Sequence, residues 1–272
     1  MKRKGHYRIK LIYSIVVVGL LLAIPFPLKN TYYFPQDSRF FELDILGNLY
    51  FISNSTIHKY VPSTGLKSDY SRLTFGEIST VDVSDPMNIL VYYSVYNKLV
   101  MLDNKLSIKN SVIDISDLGY DQSSVACLSY NGGFWIYDPV GRALIRFNQS
   151  LEKTDNSGDL YSITGYQLNP VQLIERDNQL VLRDKKNGIF VFDRYGNYIR
   201  RVPFFSLEDM YIRSGTWQLL RNDTIYFFHP NTLDVDTLRL ALDGVKEFRS
   251  NSRIMYLLLK NNTFKSIAIK RL

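Results

Sequence analysis

Short apolar runs, separated by Asn, Asp, Gly and Pro, follow one another from residue 31 to the end of the chain. Apolar residues at helical spacing are almost absent from this region. Short apolar runs bounded by turn-forming residues are typical of β-strands. The pattern therefore predicts an all-β fold rather than strands that alternate with helices.

A unit of one strand and one turn recurs along this region. Its equivalent positions are Tyr60, Leu102, Phe147 and Phe192, which are 42, 45 and 45 residues apart. Two further strands are predicted before each of these positions, such as residues 40–43 and 49–52 in the first unit and residues 125–130 in the third, and one strand follows, such as residues 108–115 in the second. Four strands per unit at this period are typical of propeller blades. We therefore predict a β-propeller of six four-stranded blades, five of them clear in the sequence. A β-sandwich or a two-domain β protein is the alternative.

The last two blades are less regular than the others. Their predicted strands cover residues 217–220, 224–228 and 235–240, then 245–248, 254–259 and 264–269. The sixth blade lacks an outer strand, and we expect residues 31–34 to supply one and close the ring, because an open sheet edge favours aggregation. The predicted organisation is thus a linker with a closing strand over residues 29–36 and a propeller over residues 37–272.

The N-terminal region has the layout of an export signal. Residues 1–10 are cationic, and residues 11–24 form an uncharged apolar run. We assign residues 1–28 to a signal peptide or membrane anchor with one apolar helix, and favour an anchor because Pro25 and Pro27 stand where a cleavage site of small residues is expected. Residues 11–28 approach the length of a membrane span. The positive-inside rule predicts an inner-membrane protein with its propeller in the periplasm, or a secreted protein if the signal is cleaved.

The net charge of +7 is concentrated at the N-terminus. Residues 1–30 contain six basic residues and no acidic residue, which leaves a net charge of only +1 for the rest of the chain. Nucleic-acid binding needs a basic surface that neutralises phosphates. We therefore expect no nucleic-acid partner.

The sequence contains no recognisable catalytic or metal-binding constellation. Motifs of hydrolase nucleophiles, zinc peptidases and phosphate-binding loops are absent, and the three histidines do not cluster. The pair Asp234 and Asp236 lacks the further ligands of a calcium loop. Cys127 lies in an apolar run and is predicted to be a buried structural thiol. We accordingly predict no catalytic residue, no metal and no cofactor.

Polar residues at the ends of the predicted inner strands are the candidate binding site, because inner strands of several blades converge at one mouth of the central channel. These residues are Asp44, Asp85, Asn131, Glu175, Asp177, Arg221 and Arg249. They would bind a polar ligand, or Glu175 and Asp177 would act as acid and base in hydrolysis. The alternative is that they are solvated loop residues without a specific role.

Two segments carry a family resemblance. Residues 44–52 (DILGNLYFI) resemble the repeat of NHL-like six-bladed propellers, with Asp44, Gly47 and Asn48 at the positions of the motif, and residues 191–197 (VFDRYGN) resemble its strand and turn. The chain is also similar to exported bacterial propeller proteins without an assigned activity. The resemblance implies a six-bladed ring. Gly and Asn at these positions also suit tight hairpins in general.

Aromatic residues are abundant, and Trp135 and Trp217 are predicted to pack between blades rather than at the surface. Export, regular blades and the missing catalytic constellation together favour a non-catalytic, membrane-anchored module. We expect it to bind a protein or a ligand in the cell envelope, with an envelope protein as its partner. The alternative is a propeller enzyme, either lactonase-like or a glycan-processing hydrolase or lyase.

Overall fold

The computed structural model describes residues 34–269, which form six antiparallel sheets in succession. Five sheets have four strands and the sixth has three, and within each sheet every strand pairs with the next one in the chain. The predicted all-β, six-bladed propeller is thereby confirmed, and the sandwich alternative is excluded. The predicted apolar helix of residues 1–28 lies outside the described residues.

The first three blades lie between residues 40 and 156. Their strands are β1 Phe40–Leu43, β2 Leu49–Ile52, β3 Thr56–Val61 and β4 Leu66–Ser71; β5 Thr80–Asp85, β6 Asn88–Tyr93, β7 Lys98–Leu102 and β8 Ile113–Asp114; and β9 Ala126–Leu128, β10 Phe134–Asp138, β11 Ala143–Phe147 and β12 Lys153–Asn156.

The last three blades lie between residues 170 and 268. Their strands are β13 Pro170–Arg176, β14 Gln179–Asp184, β15 Gly188–Asp193 and β16 Tyr198–Val202; β17 Asp209–Arg213, β18 Thr216–Arg221, β19 Thr224–Phe228 and β20 Val235–Arg239; and β21 Val245–Ser250, β22 Ile254–Leu259 and β23 Phe264–Ala268. A short helix, α1 Leu160–Thr164, joins blades 3 and 4.

The hydrophobic core lies between neighbouring blades. All four residues of β2 are buried, because the second strand of a blade is covered on both faces by adjacent blades. The outer strand β20, by contrast, is exposed throughout. Trp135 and Trp217 are 0% and 2% exposed, so their predicted packing between blades is confirmed. Cys127 is also buried, as predicted, and burial raises the pKa of its thiol.

Side chains connect the inner strands of adjacent blades around the ring. Asp82 of blade 2 accepts a hydrogen bond from the backbone N–H of Leu128 at 2.9 Å. Glu247 of blade 6 likewise accepts one from the N–H of Phe41 at 3.2 Å. Inner strands have no partner strand on their channel side, so the oxygen atoms of these carboxyl groups accept hydrogen bonds from backbone donors that the sheet leaves unpaired.

The ring closes between blades 6 and 1 through an ionic cluster. The Arg249 guanidinium donates to both carboxylate oxygens of Glu42 in blade 1, at 2.8 and 2.7 Å, and to Asp209 in blade 5 at 2.6 Å. Arg249 is only 4% exposed. Burial raises the pKa of Glu42, and the positive charge of Arg249 opposes that effect. One arginine therefore bridges three blades.

Phe34 adds an aromatic contact at the same closure. Its ring stacks on Phe264 of β23 at 5.3 Å and meets Phe51 of blade 1 edge-on at 5.5 Å. The prediction that the sixth blade lacks its own outer strand is confirmed for the described residues. Residues 31–33 of the expected closing strand lie outside them, and Phe34 is not in a strand.

Antiparallel pairing places the turns of each blade alternately on two faces of the ring. We call the mouth face the one with the turns between first and second and between third and fourth strands. The base face carries the turns between second and third strands and the connections between blades. The described chain enters at the base face, where the Gln36 carbonyl accepts a hydrogen bond from Asn262 in the β22–β23 turn.

The observed strands differ from the predicted ones in three places. Residues 125–130 were expected as one strand, but Tyr130–Gly132 forms a 3₁₀ turn in which Asn131 has a φ of 62°. Residues 108–115 contribute only the two-residue β8. The inner strand β17 was not predicted at all, because its sequence DMYIR has polar residues at both ends.

Candidate functional site

A cleft on the mouth face opens between blades 2, 3 and 4 and has a volume of about 420 Å³. We call it the mouth cleft. Its walls come from the first turn of each of these blades, because successive inner strands run in the same direction and end on the same face. The lining residues are Ser84, Asp85, Asn88, Leu128, Ser129, Tyr130, Asn131, Gly132, Glu175, Arg176, Asp177 and Asn178.

The mouth cleft brings together four of the seven predicted binding residues, one or two from each blade. They are Asp85, Asn131, Glu175 and Asp177. Asn131 and Asp177 are exposed, and both have a positive φ, at 62° and 51°, because they sit in tight turns. Asp85 accepts hydrogen bonds from the Met87 N–H and the Asn88 amide within its own turn. The cleft therefore presents carboxylate and amide groups on short, hydrogen-bonded turns.

Glu175 of blade 4 links the wall of the mouth cleft to blade 3 through hydrogen bonds. Its Oε2 accepts hydrogen bonds from the Ser129 hydroxyl at 2.7 Å and from the Trp135 indole N–H at 2.8 Å. Its Oε1 accepts one from the Tyr130 backbone N–H at 3.3 Å. Both carboxylate oxygens are thus directed at protein donors. This arrangement makes Glu175 a positioning residue for the turn that carries Tyr130.

Tyr130 lies between two guanidinium groups. Arg146 and Arg194 each lie 3.9 Å from the centre of its ring, a separation typical of cation–π contacts. Hydrogen bonding to Arg194, and then the charge of Arg146, lower the pKa of the Tyr130 hydroxyl. Asp155 pairs with Arg146 at 3.0 Å and neutralises one of the two cations. This cluster gives one rim of the mouth cleft a tyrosine whose ring contacts two arginines, of which Arg194 is partly exposed.

The other three predicted residues do not reach the mouth cleft. Asp44 is 2% exposed and accepts hydrogen bonds from its own turn and from the Tyr50 hydroxyl, so it is a structural turn residue. Arg249 pairs with Glu42 and Asp209 in the ionic cluster that closes the ring. Arg221 ends the second strand of blade 5 rather than an inner strand and lies on the base face. Its placement was wrong because β17 was missed.

Sequence reasoning also missed residues that shape the cleft. The Arg146 guanidinium donates a hydrogen bond to the Ser129 hydroxyl at 2.7 Å. Ser129 in turn donates to Glu175, and Arg146 donates to the Tyr130 hydroxyl. Arg176 and Asn178 line the cleft beside the predicted Asp177. The turn dipeptide of Asp177 and Asn178 was a usable signal for Asn178, whereas Arg146 lies within strand β11 and is brought to Ser129 and Tyr130 only by folding.

A second depression, of about 650 Å³, adjoins the mouth cleft and shares Asn88 and Gly132 with it. Among residues 34–269, no three His, Cys, Asp or Glu side chains are grouped as a metal site would require. No helix within that same range has the length and apolarity of a membrane span. The chemistry offered by the mouth cleft is therefore hydrogen bonding and charge from Asp85, Asp177 and Arg176, with an aromatic rim.

Comparison with known proteins establishes the fold alone. No family model and no curated protein matches the chain. Streptogramin B lyase has a similar structure, with a TM-score of 0.59 and 12% identity over 88% of this chain and 85% of that one. A catalytically inactive histidine-to-alanine variant of virginiamycin B lyase from Staphylococcus aureus, with quinupristin, has a TM-score of 0.57 and 12% identity over 84% and 82%. BBS1N in complex with ARL6DN has a TM-score of 0.54 and 10% identity over 83% and 74%.

Proposed function

We propose that this protein is an exported binding module, anchored in the inner membrane by residues 11–28, that presents the mouth cleft to a protein or polar ligand in the periplasm. If the signal is cleaved, the same module is secreted. The observation that carries the proposal is the convergence of Asp85, Asn131, Asp177 and Arg176 from three blades onto one cleft. A concave surface with a few convergent polar groups is the usual form of a binding site.

The hydrogen bonds that the Glu175 carboxylate accepts from blade 3 favour a binding function over hydrolysis. A general acid or base must reach a proton of the substrate. Both oxygens of Glu175 instead face donors from blade 3. The pairing of Glu175 with Asp177 as acid and base is therefore the weaker hypothesis.

The NHL-like motif fits the same proposal. Asp44 accepts hydrogen bonds from the backbone N–H of Leu46 and Asn48, both at 2.9 Å, and so closes the turn that contains Gly47. The motif thus acts as a blade turn. Because the motif forms a turn within a blade, we propose that the chain is related to the NHL-like propellers.

Export can be tested by thiol labelling in intact cells. Cys127 is the only cysteine and is 1% exposed, and a buried thiol with a raised pKa reacts slowly. A full-length variant with Asp69→Cys, on the surface of blade 1, should react with a membrane-impermeant maleimide, whereas the unaltered chain should not. Labelling that requires lysis of the cells would contradict export.

Binding at the mouth cleft can be tested by site-specific photocrosslinking. Benzoylphenylalanine would replace Arg176, which precedes a two-residue turn at the cleft, or Arg221, which precedes the equivalent kind of turn on the base face. We expect one reproducible adduct in cells from position 176 that is absent at position 221. Equal adducts at both positions, or none at 176, would count against the cleft as the binding surface.

A second candidate function follows from the likeness to the lyase structures. In this alternative the propeller is a lyase, and quinupristin, with which one of those enzymes was crystallised, is the first compound to try. Incubation of the purified full-length chain with quinupristin, followed by mass spectrometry, tests the alternative directly. Time-dependent conversion of quinupristin would favour the enzyme over the binding module.

A further inference from the structure

Exposed apolar side chains stand at the tips of the base face. Leu73 lies in the connection between blades 1 and 2 and is 80% exposed, Val95 in the β6–β7 turn is 77% exposed, and Val140 in the β10–β11 turn is 76% exposed. Tyr161 and Ile163 on α1 are 48% and 45% exposed, and the Leu160 N–H of α1 donates a hydrogen bond to the Arg142 carbonyl at the end of the β10–β11 turn. All of these side chains lie in turns or connections on the same face of the ring. Apolar side chains of comparable exposure also lie on the mouth face, at Ile45, Leu46 and Leu66, so the choice between the two faces depends on where the chain enters.

The chain enters the propeller on the same face. Phe34 packs on Phe264, Gln36 contacts the β22–β23 turn, and Arg39 pairs with Glu77 of the connection between blades 1 and 2 at 2.9 Å. The point of entry is therefore fixed against the rim of the base face by contacts with blades 6, 1 and 2.

The length of chain before Phe34 limits the distance to the anchor. Residues 29–33 separate the proposed anchor from Phe34. Six residue steps span at most about 20 Å. The longest inner strand, β13, has seven residues and spans roughly 23 Å between the two faces before its turns are added. The tether therefore holds the base face nearer to the bilayer than the mouth face.

We propose that the base face docks on the lipid bilayer, with Leu73, Val95 and Val140 inserted among the lipid headgroups. This inference rests on the proposed membrane anchoring. Aliphatic tips gain from leaving water, and Tyr161 suits the interface because its ring is apolar and its hydroxyl is polar. Docking in this direction turns the mouth cleft away from the membrane, where a partner in the periplasm can reach it.

The test uses the full-length chain in vesicles of phosphatidylethanolamine and phosphatidylglycerol. An environment-sensitive fluorophore is attached to Val95→Cys or Val140→Cys on the base face, or to Ile45→Cys on the mouth face, where Ile45 is 70% exposed. Cys127 is buried and stays unlabelled. We expect nitroxide lipids to quench the two base-face probes several times more strongly than the mouth-face probe.

A matched pair of variants checks that the apolar tips cause the docking. Replacing Leu73, Val95 and Val140 by serine should abolish quenching of a probe at Ile163→Cys, whereas replacing Ile45 and Leu46 by serine should leave it unchanged. All five positions are at least 70% exposed, so these changes leave the core intact.

Two results would overturn the inference in distinguishable ways. If the labelled chain floats with the vesicles but its base-face probes are quenched no more than the probe at position 45, the anchor stands and the docking fails. If the chain does not float with the vesicles at all, the proposed anchoring fails and the docking fails with it. A crosslink from Val95 to a protein in cells, with no lipid quenching, would identify a protein as the occupant instead.

Discussion

At the scale of single residues, the role of Glu175 depends on the neighbours that folding brings to it. It belongs to blade 4, but its hydrogen-bond donors Ser129, Tyr130 and Trp135 all belong to blade 3. The three donors lie 40 to 46 residues away in the chain. The local sequence shows only an acidic residue near the end of a predicted strand, and this pattern indicates a binding or catalytic group.

Substituting Glu175→Gln separates these interpretations. Catalysis by Glu175 predicts a loss of activity without a change in stability. The observed network predicts a lower free energy of unfolding, by about 1–3 kcal/mol, because an amide nitrogen would face donors that need an acceptor. Urea unfolding of the two proteins measures the difference. Asp177→Asn, in the adjoining exposed turn, is the control and should change stability by less than about 0.5 kcal/mol.

Glu247 predicts a pH dependence at the closure of the ring. Burial, and then the negative charge of Asp209, raise its pKa to about 8 from an ordinary value of 4.5. The folded state therefore holds a proton that the unfolded chain releases, and this residue makes stability fall as the pH rises from about 4.5 to about 8.

The variant Glu247→Gln should lose this dependence while keeping an acceptor for the Phe41 N–H. We expect it to gain stability relative to the unaltered protein between pH 5 and pH 8, as measured by thermal unfolding across that range. The surface variant Glu152→Gln serves as the comparison. Curves for Glu247→Gln and the unaltered protein that stay parallel would show that the carboxyl does not titrate as described.

At the scale of strands and turns, regular elements were predictable and irregular ones were not. The strand β2 was predicted with its observed bounds, because it is a short apolar run between turn residues. The strand β17 was missed because Asp209 and Arg213 stand at its ends. Asp209 is buried there only because Arg249 from the next blade neutralises it. A local pattern cannot contain that partner.

Gly133 offers a test of how closely two strands approach. A β-carbon added there would collide with the carbonyl oxygen of Phe147 in β11. We expect Gly133→Ala to lower the free energy of unfolding by about 1–3 kcal/mol, because β10 and β11 must move apart to admit the methyl group. Ser150→Ala, in the exposed turn that follows β11, should leave the urea midpoint almost unchanged. Equal midpoints for both variants would argue against the close approach.

At the scale of the whole molecule, side-chain contacts between blades 6 and 1 close the ring. Within the described residues, no blade combines a strand from the N-terminal end with strands from the C-terminal end. Arg249 holds Glu42 and Asp209 together, and Phe34 packs across blades 6 and 1. Stability of the whole propeller should therefore be sensitive to a single buried arginine.

Replacing Arg249 by methionine tests this closure. The change leaves two buried carboxylates without their counter-charge, and breaking a buried ion pair costs about 3–5 kcal/mol. Arg253→Met, an exposed arginine in the following turn, is the matched control and should cost less than about 0.5 kcal/mol. Calorimetry of both variants measures the two effects, and comparable melting temperatures would contradict a closing role for Arg249.

The amino-acid sequence by itself determined the class of fold, the blade period and most strand positions. These depend on which residues are apolar and where turns interrupt them, and that information is local. Only the tertiary structure decided which polar residues meet. Asp85, Asn131 and Asp177 share a cleft because their blades are adjacent. Asp44 and Arg249 also lie near the ends of inner strands, but both are buried in structural contacts. The physical reason is that contacts between blades join residues some forty positions apart, and their geometry is set by the curvature of the closed ring.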